Sequence, residues 1–97
     1  MLELDRNRLD FIDLSENINL EQLNLSGNPL NALDLSNNIN LEILRLYNMV
    51  ELGGSGISDL DLSANSNLQE VGVANSNLSF LNIQNGNIIN LEDLNVL

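Results

Sequence analysis

Cysteine, histidine and lysine are all missing from this 97-residue chain. The first absence rules out disulfides, thiolate nucleophiles and cysteine metal sites, and leaves the redox compartment open. The second removes the commonest general base and metal ligand. Without lysine, the only side-chain cations are three arginines, set against 14 aspartate and glutamate residues for a formal charge of -11. A phosphate backbone calls for a basic surface, so this balance argues against a nucleic-acid partner and equally against anionic membranes. No apolar run approaches the length of a transmembrane helix, so no membrane insertion is expected. The opening residues, MLELDRNRLDF, have no basic segment followed by an apolar one and do not read as a signal peptide. The acidity is compatible with a cationic partner, with bound divalent cations, or with solubility alone.

What is present is a recurring unit, L-x-L-x-x-N. In Leu20 to Leu41, LEQLNLSGNPLNALDLSNNINL, Leu23, Leu25 and Asn28 are followed by Leu33, Leu35 and Asn38. The unit opens at Leu2, Ile12, Leu23, Leu33 and Leu44 with spacings of 10, 11, 10 and 11 residues, so a pair of units repeats every 21. That is the period of a solenoid, in which each turn buries its apolar face against its neighbours. Two half-turns alternate. Type A opens at Leu2, Leu23 and Leu44, and type B at Ile12 and Leu33. In each L-x-L, alternate side chains point the same way, as in a strand, and the residue between them faces solvent. Helix is a poor account, because the apolar residues do not recur at three and four and asparagine is abundant.

An asparagine at fixed phase in each turn is expected to satisfy backbone groups and to stack on the next coil: Asn7 and Asn28 on the A side, Asn17, Asn38 and Asn65 on the B side. The step from Leu44 to Leu60 is 16 residues where 10 is regular, so about six residues are inserted within Met49 to Ile57. Gly53, Gly54 and Gly56 lie in this insertion, but no P-loop Lys-Ser/Thr follows them. The phase then recovers, with B at Leu60, A at Val71 and B at Leu81, and a last A strand is expected to open at Leu94. The expected domain is the whole chain, 1–97, with an insertion loop at 49–57. Neither end carries a capping segment, which predicts a fragment of a longer array and homo-association through the uncapped ends. A pentapeptide-type square β-helix also fits the five-residue leucine steps, but the extra residue in every 21 breaks its register.

The units opening at Leu20 and Leu30 resemble the leucine-rich repeat. More narrowly, they resemble the 21-residue repeats of Bacteroidetes-type bacterial surface and secreted proteins, where N-x-L turns alternate with L-D-L-S-x-N-x-x-L turns. The resemblance covers essentially the whole chain and departs at Met49 to Ile57, Ser76, Gly86 and Asn85 to Leu91. It implies a leucine-rich repeat solenoid of the α/β-type horseshoe class, here nearly all β and turns: a short arc of four to five turns with a parallel concave sheet. It further implies an extracellular or cell-surface setting and a non-catalytic module that binds a protein or glycan. Fold-level analogy does not fix function.

The A half-turns match the family's hallmark strand, which puts their outward residues on the concave face. Those columns vary: Glu3, Asn24, Arg45, Gly72 and Asn95 in one, and Asp5, Ser26, Tyr47 and Ala74 in the next. The B columns, Asp13, Asp34, Asp61, Asn82 and Ser15, Ser36, Ser63, Gln84, are monotonous, as a scaffold would be. Arg45 and Tyr47 are the leading partner-binding candidates, since these residue types are enriched at energetic centres of interfaces. Asn24, Ser26, Glu3 and Asp5 complete the set. Stacked Asp13, Asp34 and Asp61 are expected to raise one another's pKa, and calcium is a weak candidate to relieve that repulsion. No cofactor is expected. An enzyme would need paired acids in a pocket, and an open face without His or Lys supplies none. Two function classes remain: a protein- or glycan-binding module, favoured by the varied A columns, and a structural spacer or end-to-end scaffold, which would need neither variation nor insertion.

Overall fold

A computed structural model of the chain describes residues 1–47, 56–73, 80–82 and 90–92. Seven short strands run through these residues: β1 (Leu2–Glu3), β2 (Gln22–Asn24), β3 (Ile43–Arg45), β4 (Asp59–Asp61), β5 (Glu70–Gly72), β6 (Phe80–Asn82) and β7 (Asn90–Glu92). Each of the four central strands β2 to β5 has a leucine or valine in the middle, and that residue is fully buried: Leu23, Leu44, Leu60 and Val71. The flanking side chains of β2, β3 and β4 face outward, which is the period-2 alternation of a half-buried strand. Burying a leucine is worth about 1.5–3 kcal/mol, so a row of them outweighs the entropy of ordering such short segments only when several coils stack.

The strands form two parallel sheets. The larger has the order β1-β2-β3-β5-β7, and the smaller pairs β4 with β6. In the larger sheet Leu2 lies opposite Leu23, Leu23 opposite Leu44, and Leu44 opposite Val71. The first two offsets are 21 residues, and the third is six longer, which absorbs the extra residues read from the sequence. Most of the insertion itself, and the expected strand opening at Leu94, lie outside the described residues. The partner of Val71 is Leu91, so the fifth strand of this sheet sits at Asn90–Glu92. Glu92 therefore stands beside Gly72 where Asn95 was expected.

The horseshoe expectation is corrected by the structure. The described residues contain no helix, and the sheet is not strongly curled. The physical reason is spacing. An arc needs a back wider than its sheet. A helix, at about 10 Å across, would hold the coils apart there, whereas paired strands sit about 4.8 Å apart. Here both sides of each coil are extended chain and tight turns, so nothing wedges the back open. The chain forms a small, mostly parallel β-sheet domain, and the concave face expected of a four- to five-turn arc becomes the outer face of a nearly flat sheet. No helix among the described residues is long and apolar enough to cross a membrane.

Candidate functional site

Four of the six candidate residues on the A side are joined in one chain of hydrogen bonds across three strands. Asn24 Nδ2 donates to Glu3 Oε2 at 2.9 Å, and the Ser26 amide donates to Asn24 Oδ1 at 3.0 Å. The Tyr47 amide then donates to Ser26 Oγ at 3.0 Å. Parallel register makes this possible: Glu3, Asn24 and Arg45 are lateral partners, so their side chains share one face. Asp5 is exposed and stays outside this network. Arg45 reaches diagonally to Glu70 on β5, with Nη2 3.8 Å from Oε2, and both side chains remain more than a third exposed. Such a pair contributes little to stability.

Tyr47 lies across Gly72. A Cβ on residue 72 would collide with the Tyr47 ring, so glycine at this place in the column is what lets the ring lie down on β5. The result is an aromatic surface beside the Arg45–Glu70 pair. Glu70 was not among the sequence candidates. Its signal was available in the residue that precedes Val71, the core position of the strand. Ala74 lies outside the described residues.

The turn after the A strands needs a left-handed residue. Gly27 supplies it at φ 74°, and Arg6, in the equivalent place one coil earlier, adopts φ 58°. Next to it, Asn28 is fully buried and links the two coils. Its Oδ1 accepts from the Asn7 and Leu9 amides, both at 2.9 Å, and its Nδ2 donates to the Leu4 and Leu25 carbonyls at 2.7 and 2.9 Å. The B side uses the same device less completely. Asn38 Nδ2 donates to the Leu14 and Asn17 carbonyls, and Asn65 Nδ2 to those of Leu35 and Asn38. Asn38 Oδ1 is buried with no hydrogen-bond partner among the described residues. Asn7 and Asn17 are exposed and serve the ladder through their backbones. A second, outer ladder went unread in the sequence: Asn40 donates to the Ile18 carbonyl and Asn67 to that of Ile39. The recurrent Asn-Leu at 19–20, 40–41 and 67–68 was its signature.

Asp13, Asp34 and Asp61 each accept the amide of the serine two residues on, at 2.9 Å. Ser36 Oγ also donates to Asp34 Oδ1 at 2.6 Å. The expectation that the column raises its own pKa is therefore corrected. All three carboxyls titrate below the ordinary value, chiefly because hydrogen bonds from Ser15, Ser36 and Ser63 stabilise the charged form. Repulsion from Asp34 registers only at Asp13, where it is the smallest of the causes. No three acidic side chains among the described residues converge as a metal cage; Asp13, Asp34 and Asp61 each cap their own turn through the serine amide.

Between these turns lie two grooves. One, of about 350 Å³, separates the Asp34 coil from the Asp61 coil and is lined by Leu33, Leu35 and Leu60 together with Asp34, Asp59 and Asp61. The other, of about 380 Å³, separates the Asp13 coil from the Asp34 coil and includes Phe11, Ile12 and Leu33. Phe11 is 73% exposed at its edge.

No family model, no curated protein and no solved structure matches the chain. With the flat, helix-free sheet, this corrects the expected membership of the leucine-rich repeat family, and what the chain shares with those repeats is a local spacing of leucine and asparagine.

Proposed function

We propose that the chain is a non-catalytic binding module that meets a protein partner on the outer face of the five-stranded sheet, around Arg45 and Tyr47. One observation carries this reading: the Tyr47 ring lies over Gly72 beside the Arg45–Glu70 pair. An aromatic ring already packed against its own sheet loses little rotamer freedom on binding, and tyrosine and arginine are the residues most often found at energetic centres of interfaces. Asn24, Ser26, Glu3 and Asp5 form the polar rim of the same face. The setting we propose is extracellular or at the cell surface, and homo-association of the sheet edges belongs to the same proposal.

A binding screen of the purified chain against surface-protein fragments and a glycan panel, run beside an R45A/Y47A variant, tests it. The expected result is a protein ligand that the double variant loses by about 100-fold, the size of two interface residues worth over 1 kcal/mol each. A ligand bound equally by both proteins would move the site off this face. A glycan ligand lost in the variant would keep the face and replace the partner class. A chain that binds nothing would favour a structural spacer. Sedimentation that shows only monomer at high concentration would remove self-association.

A further inference from the structure

The two grooves have a common origin in the backbone. On the A side, adjacent strands hydrogen-bond continuously from β1 to β7. On the B side, no backbone hydrogen bond joins Ile12–Leu14 to Leu33–Leu35, or Leu33–Leu35 to Asp59–Asp61, among the described residues. The pairing resumes only between β4 and β6. Each groove occupies one of the two unjoined gaps, and Leu33 and Asp34 line both.

We propose that this B face docks an extended, basic segment of another polypeptide, with aliphatic side chains in the two grooves and lysine or arginine side chains against Asp13, Asp34 and Asp61. The groove lining supplies the apolar half of the argument through Phe11, Ile12 and Leu33, which keep surface open to solvent, while Leu35 and Leu60 lie beneath in the core. Charge complementarity supplies the other half. No lining residue of either groove is basic, and Arg45 is engaged with Glu70 on the sheet face. In each aspartate, Oδ1 is held by a serine amide, which fixes the carboxylate's direction. A partner meeting this row sees preorganised acceptors at each coil, so it pays little to order them. The site is separate from the Arg45–Tyr47 face and does not depend on it.

The test uses two charge-matched probes, an alternating Lys-Leu dodecapeptide and an alternating Lys-Gly dodecapeptide, titrated into the wild-type chain and into D34N/D61N. Asparagine keeps the Oδ1 acceptor, so the turn is retained, and circular dichroism checks it. An E21Q/E16Q variant removes the same charge outside the groove lining. The Lys-Leu peptide is expected to bind more tightly than Lys-Gly, to lose about tenfold in D34N/D61N, the worth of two exposed ion pairs, and to change little in E21Q/E16Q. R45A/Y47A leaves it unchanged, which separates this site from the sheet face. Equal binding of the two peptides, or equal losses in the two acid variants, would reduce the effect to net charge and overturn the proposal. Raising salt from 50 to 500 mM offers a second reading on wild type alone: Lys-Leu binding weakens but persists, and its complete loss would remove the apolar contribution and the proposal with it.

Discussion

The two sides of this molecule solve one problem differently. On the A side, β1, β2, β3, β5 and β7 close the gap between coils with backbone hydrogen bonds, and Asn28 spends all its polar atoms joining two of those coils. On the B side, no backbone hydrogen bond joins the extended segments of the first three coils among the described residues, and Asn38 uses its Nδ2 while its buried Oδ1 has no partner among them. The same residue is fully used in the A turn, whose Asn7 and Leu9 amides bond to it, and half used in the B turn, whose amides bond within the turn, as Asn17 does to Leu14. The difference teaches that what an asparagine bonds is set by the backbone of the turn it sits in. Where pairing lapses, grooves open.

The largest test of this contrast is Asn28→Ala against Asn38→Ala. Alanine at 28 strands two amides and two carbonyls, a loss of about 3 kcal/mol, whereas at 38 both carbonyls keep an amide of their own turn, Leu14 from Asn17 and Asn17 from Leu20, and an already unsatisfied oxygen is removed, a loss of about 1 kcal/mol. Urea midpoints measure both, and equal losses would erase the distinction. Next comes the A turn. Gly27→Ala forces a side chain into φ 74° with its Cβ 3.0 Å from Arg6 Cγ, and should cost about 2 kcal/mol. Arg6→Gly, relieving φ 58° in the equivalent turn, should return about 1 kcal/mol by thermal melting.

A smaller effect is expected at Gly72→Ala. The clash is with the far end of the Tyr47 ring, which can swing away, so stability changes by less than about 1 kcal/mol. The chain has one tyrosine and no tryptophan, so intrinsic fluorescence reads the ring's displacement directly. An unchanged spectrum would mean that the ring does not rest on Gly72. The smallest effect concerns acid. Asp13, Asp34 and Asp61 have folded pKa values below the ordinary 3.8, so the unfolded chain binds more protons at that pH. Their contribution is complete above that value and is lost as pH falls through the folded values. Acid titrations of D34N should show a shallower loss of stability below about pH 4 than wild type.

Strand register was legible because a leucine misplaced by one residue would face water; Leu2, Leu23, Leu44 and Val71 sit opposite one another for that reason. The Glu3–Asn24–Ser26–Tyr47 network was legible as a shared face, though not as a chain of hydrogen bonds. The partner of Val71 was not legible because Leu91 and Leu94 both fit an apolar opening, and only the pairing with Leu91 decides between them. Curvature was not legible, since it depends on the width of the back of each coil and the leucine spacing reports only the front. The aspartate column misled for a related reason. Sequence shows like charges at one phase, while the serine amides that lower their pKa depend on the turn's backbone geometry.

The most direct measurement of the contrast between the two sides is amide hydrogen exchange, residue by residue. The Leu25 and Leu46 amides donate to the Arg45 and Gly72 carbonyls across the sheet and should be strongly protected. The Leu14 and Leu35 amides, buried in the equivalent strand position of the B coils but without a backbone acceptor among the described residues, should exchange much faster. Equal protection at all four would mean that the B coils pair as the A coils do, and that the grooves between them are closed.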